Sequence, residues 1–317
     1  MKRVSSLAWT AFTALALLAA GAGHHLAAQV RPKAFSAPDK AAVALIEAAK
    51  SKDANGLLAI LGPATKQWII SGDKVQDVQA REKFIAAYDR KHEIEMQGGD
   101  KAILVVGEDG FPFPFPLVKT AAGWAFDPEL GREELLDRRI GGNELNTIQV
   151  LLAIVDAQQE YASVDRDENG LLEYAAKFRS SEGERDGLYW PTDENEPQSP
   201  LGPLVMEATA EGYQSKVSSR DDDDETNAYH GYHFKLLTRQ GPEAPGGAYD
   251  YRVDGKMVGG FGVLAYPAKY GASGIMTFAV SHEGTVYQTD LGPETETAAK
   301  RIGAFNPGAD WTKVKPE

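Results

Sequence analysis

The chain has 317 residues, a formal net charge of −13 at pH 7 and no cysteine. The missing thiols exclude disulfides, cysteine nucleophiles, iron–sulfur clusters, cysteine zinc sites and a lipid-carrying cysteine after a leader. An acidic surface repels phosphate backbones and anionic lipid heads, which argues against nucleic-acid partners and against membrane insertion of the mature chain.

The chain starts with Met1-Lys2-Arg3 and an apolar run from Leu7 to Ala20. Small residues follow, Ala20-Gly21-Ala22 and then Leu26-Ala27-Ala28. That order of charge, apolar stretch and small residues reads as a signal peptide over residues 1–28, cut after Ala22 or Ala28. The expected location is periplasmic or secreted. Loss of Lys2 and Arg3 with the leader takes the formal charge from −13 to −15. No second apolar run reaches spanning length.

Three helices come next. Ser36 is expected to cap the first, with Pro38 in its opening turn and Val43, Leu45, Ile46 and Ala49 along one face to about Lys50. Asp53 caps a short second helix that Gly62-Pro63 ends, and the third runs from Asp73 to Lys91. The period then changes to strands at 92–97, 101–107, 117–120 and 124–127, with Ala121-Ala122-Gly123 as a hairpin loop. Three prolines in Phe111-Pro112-Phe113-Pro114-Phe115-Pro116 exclude a central strand. Its rings either plug the domain's own core or form an aromatic rim for a partner. Gly141-Gly142 is expected to break the helical run that begins near Glu129 and to mark a domain boundary. A second long helix follows from Asn143 to Ser163, with Leu145, Ile148, Leu152, Val155 and Gln159 on one face and Leu151, Ile154 and Tyr161 alongside. Residues 181–200 read as a polar loop, 203–211 as a short helix, and the acidic stretch 218–227 as a solvated loop. Strands are expected at 229–238, 260–267, 275–281 and 286–289, with a last helix at 293–302. The fold class is α+β in two domains, 36–140 and 141–317. The first has helices on a curved antiparallel sheet, and the second has a long helix packed on an antiparallel sheet.

Residues 36–130, with Gly123-Trp124-Ala125-Phe126 as the best local match, resemble the NTF2-like (cystatin-like) superfamily, which implies a fold and not a function. The second half resembles pilin and pseudopilin head domains. Asn146-Thr147-Ile148 through Tyr161-Ala162-Ser163 matches the pilin helix and its first loop, Gly231 to Leu236 the first sheet strand, and residues 277–287 the closing hairpin. A true pilin carries its apolar helix at its own N-terminus, so the resemblance implies a soluble pilin-like domain. The whole chain resembles a bacterial family of secreted proteins, domain-of-unknown-function family 2950, through residues 165–175, Ser199-Pro200-Leu201-Gly202-Pro203-Leu204-Val205 and Tyr229-His230-Gly231-Tyr232-His233-Phe234. That resemblance implies a Gram-negative cell-envelope protein.

Asp165, Asp167, Asn169 and Glu173, with Gly170 among them, make most of a calcium loop, and calcium is the one cofactor the sequence offers. The position of the closing bidentate Glu is Ala176, so the alternative is an Asx-rich turn at a helix end. His230 and His233, placed on one strand, point to opposite faces and would not share a metal ion. Ser71-Gly72-Asp73-Lys74 matches Ser-x-x-Lys without its partner motifs, and Ser71 or Asp73 suits a helix cap equally well. Tyr189, Trp190 and Trp124 are candidates for sugar stacking or for the core. No catalytic or cofactor-binding residue is singled out. The reading is a non-catalytic binding or assembly module whose partners are other envelope proteins. The alternative is a small-ligand binder or enzyme using the concave face of the first domain, lined by Trp68, Phe84, Met96 and Trp124. A third is docking of the pilin-like half onto a secretion or pilus machine.

Overall fold

The computed structural model describes residues 31–315 apart from 167, 194–195 and 214–227. The leader at 1–28, Asp167 and the whole acidic stretch 218–227 therefore lie outside the described residues. Helix α1 (Pro38–Lys50) opens on Pro38, with Ala37 at the cap position and no side-chain bond there, so Ser36 is not its cap. The preset φ of Pro38 and the carboxylate of Asp39 in the first turn favour the start instead. Asp53 caps α2 (Ala54–Leu61) by accepting from the Gly56 N–H. Gly62, at φ +94°, turns the chain into a 3₁₀ turn at Pro63–Thr65 and the short helix α3 (Lys66–Ile69), which the sequence pattern does not announce. Asp73 caps α4 (Lys74–Arg90) through the N–H groups of Val75 and Gln76.

Strands β1 (His92–Gln97), β2 (Lys101–Val106), β3 (Phe111–Pro112), β4 (Leu117–Thr120) and β5 (Gly123–Phe126) form an antiparallel sheet in the order β1-β2-β4-β5, with β3 paired to β2. Leu104, Leu117 and Phe126 of this sheet pack with Leu45 and Ile46 of α1 and Tyr88 of α4. Phe113 and Phe115 of the Phe-Pro run join that core, while Phe111 stays outside with the Arg138 guanidinium 4.4 Å from its ring centre. The run thus plugs its own core with two rings of three. Trp124 is buried in the same cluster, Trp68 is buried, and Met96 is exposed at the margin.

Helix α5 (Pro128–Ala162) is continuous through Gly141-Gly142, which corrects the expected break and places the expected boundary inside one helix. Both glycines face solvent, and a Cβ at either would meet nothing within 4 Å. The polar residues that flank them are anchored on both sides, as described below, and this offsets the roughly 1 kcal/mol that each helical glycine costs relative to alanine. The buried face keeps the expected Leu151, Ile154, Val155 and Tyr161 and differs at its margins. Leu145 and Gln159 are exposed, whereas Thr147, Val150, Leu151, Ile154, Gln158 and Tyr161 are buried.

Beyond α5, β6 (Lys177–Arg179) pairs in parallel with β7 (Gly187–Tyr189), which lies inside the stretch expected to be loop. Helix α6 (Gly202–Ala210) precedes β8 (Tyr232–Leu237). The short strands β9 (Arg239–Gln240) and β10 (Tyr249–Asp250) pair with each other. Strands β11 (Gly262–Pro267), β12 (Met276–Ser281), β13 (Val286–Asp290) and β14 (Thr312–Lys313) complete an antiparallel sheet in the order β14-β13-β12-β11-β8. Val263, Ala265, Phe278 and Val280 pack against α5 on one face. Leu237, Leu264 and Ala279 face the other way, toward α7 (Thr295–Arg301) and Phe305. The architecture is α+β, with helices covering antiparallel sheets. Pro32–Glu317 form one compact unit.

Candidate functional site

The loop after α5 closes on its own hydrogen bonds. Asp165 accepts from the Asn169 N–H at 3.1 Å and the Gly170 N–H at 2.8 Å, one on each carboxylate oxygen. Asn169 donates its side-chain amide to Glu173 at 3.0 Å, and Lys256 reaches the same Glu173 oxygen at 2.9 Å. Asp165 and Glu173 thus each hold partners of this chain, and a cation there would have to displace Lys256 or share Glu173 with it.

The densest set of buried polar contacts lies where α4, α5 and the β11–β12 connection meet. Asp73 is 2% exposed, and its carboxylate accepts four hydrogen bonds. One oxygen caps α4 through Val75 and Gln76, at 3.0 Å each. The other accepts from the Tyr213 hydroxyl at 2.7 Å and the Gly231 N–H at 3.0 Å. Burial, and after it the Asp73 carboxylate, pushes the Tyr213 phenol far up. Gly231 sits at φ +77°, and a Cβ there would come 2.5 Å from the Asn143 amide nitrogen, so this position in the Tyr229–His233 motif requires glycine.

Helix α5 supplies the middle of the seam. Asn143 accepts from the Gln76 amide at 2.6 Å and donates to the Ser273 carbonyl at 2.7 Å. Glu144 accepts the N–H groups of Ile275 and Met276, both at 3.0 Å. Arg139 donates to the carbonyls of Trp68 and Ala272. Burial lowers the Arg139 pKa, and the charge of Asp77 counters part of that. Asp77 is itself raised by burial, against the Ser71 N–H and Arg139, which lower it. Lys269 reaches back to the carbonyls of Gln67 and Ile70 at 2.9 and 3.0 Å.

The sequence candidates fall around this seam with different duties. The Ser71 hydroxyl is buried and bonded to the backbone of Asp73, while Lys74 is exposed. His230 precedes β8 instead of lying on it, at φ +49°, with its Nε2 3.4 Å from Glu211 and its ring against Tyr229 and Tyr213. His233 lies in β8 with its ring 5.3 Å from that of Tyr266. Trp190 is buried with the guanidinium groups of Arg166 and Arg185 5.5 and 5.6 Å from its ring. The residues that sequence reasoning missed are Arg139, Asn143 and Glu144. Their signal was polar side chains at helical spacing, 139, 143 and 147, where an amphipathic helix would bury apolar ones.

A carboxylate offers about four lone-pair directions. All four of Asp73 are taken, by Val75 and Gln76 beside it and by Tyr213 and Gly231 far along the chain, so it holds the fold together and has no free position with which to accept a substrate proton. These features describe an α+β protein in which buried polar groups tie α4 and α5 to the β11–β12 connection and to Gly231. The family model described as "Protein of unknown function (DUF2950)" matches residues 32–314, and the chain belongs to that family. No curated protein and no solved structure matches the chain, so the NTF2-like and pilin-like resemblances gain no support there.

Proposed function

We propose that the chain is a non-catalytic binding or assembly module of the bacterial cell envelope, exported by its leader. The observation that carries the non-catalytic reading is the saturated carboxylate of Asp73. The acids, amides and cations of the seam are bonded to backbone groups of elements distant in sequence. The alternative use of the first sheet's concave face finds that face packed with Leu45, Tyr88, Phe115, Trp124 and Phe126. The leader and the acidic exported chain support the location.

The test is fractionation of a Gram-negative host producing the full chain, with N-terminal sequencing and crosslinking in intact cells. The expected product is periplasmic, begins at Gly23 or Gln29, and crosslinks reproducibly to an envelope protein. A chain that keeps Met1 in the cytoplasmic fraction overturns the location. Turnover of a substrate that Asp73→Asn abolishes, with the fold intact, overturns the non-catalytic reading.

A further inference from the structure

The face of the C-terminal sheet that α5 does not cover carries a cavity of about 250 Å³. Its floor is Leu237, Leu264 and Ala279, each 3% exposed or less. Ile302 and Trp311 are its walls, and Gly303 and Asn306 lie at its rim. The lining is thus hydrocarbon and indole with a polar edge on one side.

The polar edge carries a cation. Arg239 donates its Nε–H to the Gly303 carbonyl at 3.2 Å, and its Nη2 lies 3.4 Å from where a Cβ on Gly303 would stand. Among the described residues no carboxylate lies within ion-pair distance of Arg239, although after the Arg252 N–H its charge helps to lower the Asp250 carboxyl. Asp250, opposite it across the β9–β10 pair, bonds to Arg252. Glu243 also touches the rim, where its carboxylate accepts from the Asn306 amide at 3.0 Å. In a chain of net charge −13, an exposed guanidinium beside an apolar cavity is a selective feature.

We propose that this cavity binds the tail of a small apolar monocarboxylate, with the carboxylate on Arg239. At about 30 Å³ for a group the size of a water molecule, the space holds roughly eight methylene-sized groups. The proposal deepens the binding role proposed above by giving it a ligand class and a place. It is tested on purified protein, so its failure leaves the envelope location standing.

The probes are octanoate and its neutral counterpart 1-octanol, followed by calorimetry and tryptophan fluorescence. Octanoate gives saturable heat and a fluorescence change, and Trp311→Phe removes the fluorescence change while keeping the heat. 1-Octanol binds at least about tenfold more weakly, which is the weight of one charge-assisted contact. Arg239→Gln, an exposed substitution, brings octanoate down to the affinity of 1-octanol and leaves 1-octanol unchanged. Ala279→Phe fills the floor and abolishes both; should it fail to fold, Ile302→Trp fills the same space from the half-exposed wall. No saturable response up to about 10 mM octanoate overturns the proposal, since binding that weak is not selective. Equal affinity for acid and alcohol, or unchanged octanoate binding in a folded cavity-filling variant, overturns it as well.

Discussion

Helix α5 meets the rest of the molecule in two different ways along its length. From Val150 to Tyr161 its buried side chains are mostly apolar and pack on Val263, Phe278 and Val280 of the C-terminal sheet. From Arg139 to Thr147 they are polar, and their partners are Trp68, Gln76, Ala272, Ser273, Ile275 and Met276. Apolar burial stabilises in proportion to area and tolerates small shifts of the partner. A buried hydrogen bond is directional, and its loss leaves a desolvated group without a partner. The apolar half therefore supplies stability, and the polar half fixes one geometry between α5 and the elements it meets there.

The largest effect that tests this division is expected at alkaline pH. Burial, as the first cause in each case, raises the phenols of Tyr213, Tyr229, Tyr232 and Tyr251 far above their ordinary value, and the first three adjoin the seam. A raised pKa stabilises the folded protein fully below the unfolded value near 10, and that stability is lost as pH rises above it. Tyrosinate absorbance should therefore rise in two stages, the second coinciding with loss of circular dichroism. A single smooth titration of all tyrosines in the folded protein would contradict it. Next, Leu151→Ala, at a fully buried position, should cost about 3 kcal/mol in urea unfolding through lost contacts and a cavity.

Asp73→Ala probes the polar half against a built-in control. Asp53 and Asp73 both cap helices, but Asp53 bonds one local N–H, whereas Asp73 also holds Tyr213 and Gly231. Asp53→Ala should cost about 1 kcal/mol and Asp73→Ala about 2–3 kcal/mol. Equal costs would mean that the seam contributes nothing beyond capping. A smaller effect of opposite sign is expected at the glycine pair. Gly141→Ala and Gly142→Ala meet nothing within 4 Å and lie in continuous helix, so each should stabilise by up to about 1 kcal/mol. Destabilisation by either change would show that the helix gives way there in solution.

The apolar half was readable and the polar half was not, for the same physical reason. The strands β1, β2, β4 and β5, the caps Asp53 and Asp73 and the hairpin at Ala121-Ala122-Gly123 are local devices, and the structure has them where the pattern put them. In α5 the spacing places Leu151, Ile154, Val155 and Tyr161 correctly, but Leu145 is exposed while Asn143, Thr147 and Gln158 are buried. Gln158 is buried because it bonds both backbone groups of Ala175, and nothing near residue 158 in sequence announces that. Gly141-Gly142 read as a break because glycine weakens helices, while the anchors that keep the helix whole lie up to about 130 residues away. The three-residue parallel pair β6–β7 is too short to carry a period. For the candidate site, His230 and Gly231 stood out in sequence, but Asp73, the partner of Gly231, is 158 residues away from it.

The smallest effect concerns the loop at Asp165–Glu173, which ends the apolar half of α5. If its own hydrogen bonds close it, a chelator has little to remove. Asp165 already accepts two backbone N–H groups, and Glu173, with its side chain 13% exposed, is bound by Asn169 and Lys256. The melting temperature with chelator should then stay within about 1 °C of that in millimolar calcium, well below the shift of about 2–4 °C that 1 kcal/mol produces in a chain of this size. Lys256→Met should lower it modestly in either medium, because a partly exposed ion pair contributes at most about 1 kcal/mol. A fall of several degrees with chelator, abolished in Asp167→Ala, would instead place a calcium ion among Asp165, Asp167, Asn169 and Glu173. Lys256 would then be a neighbour of the loop and not its clasp.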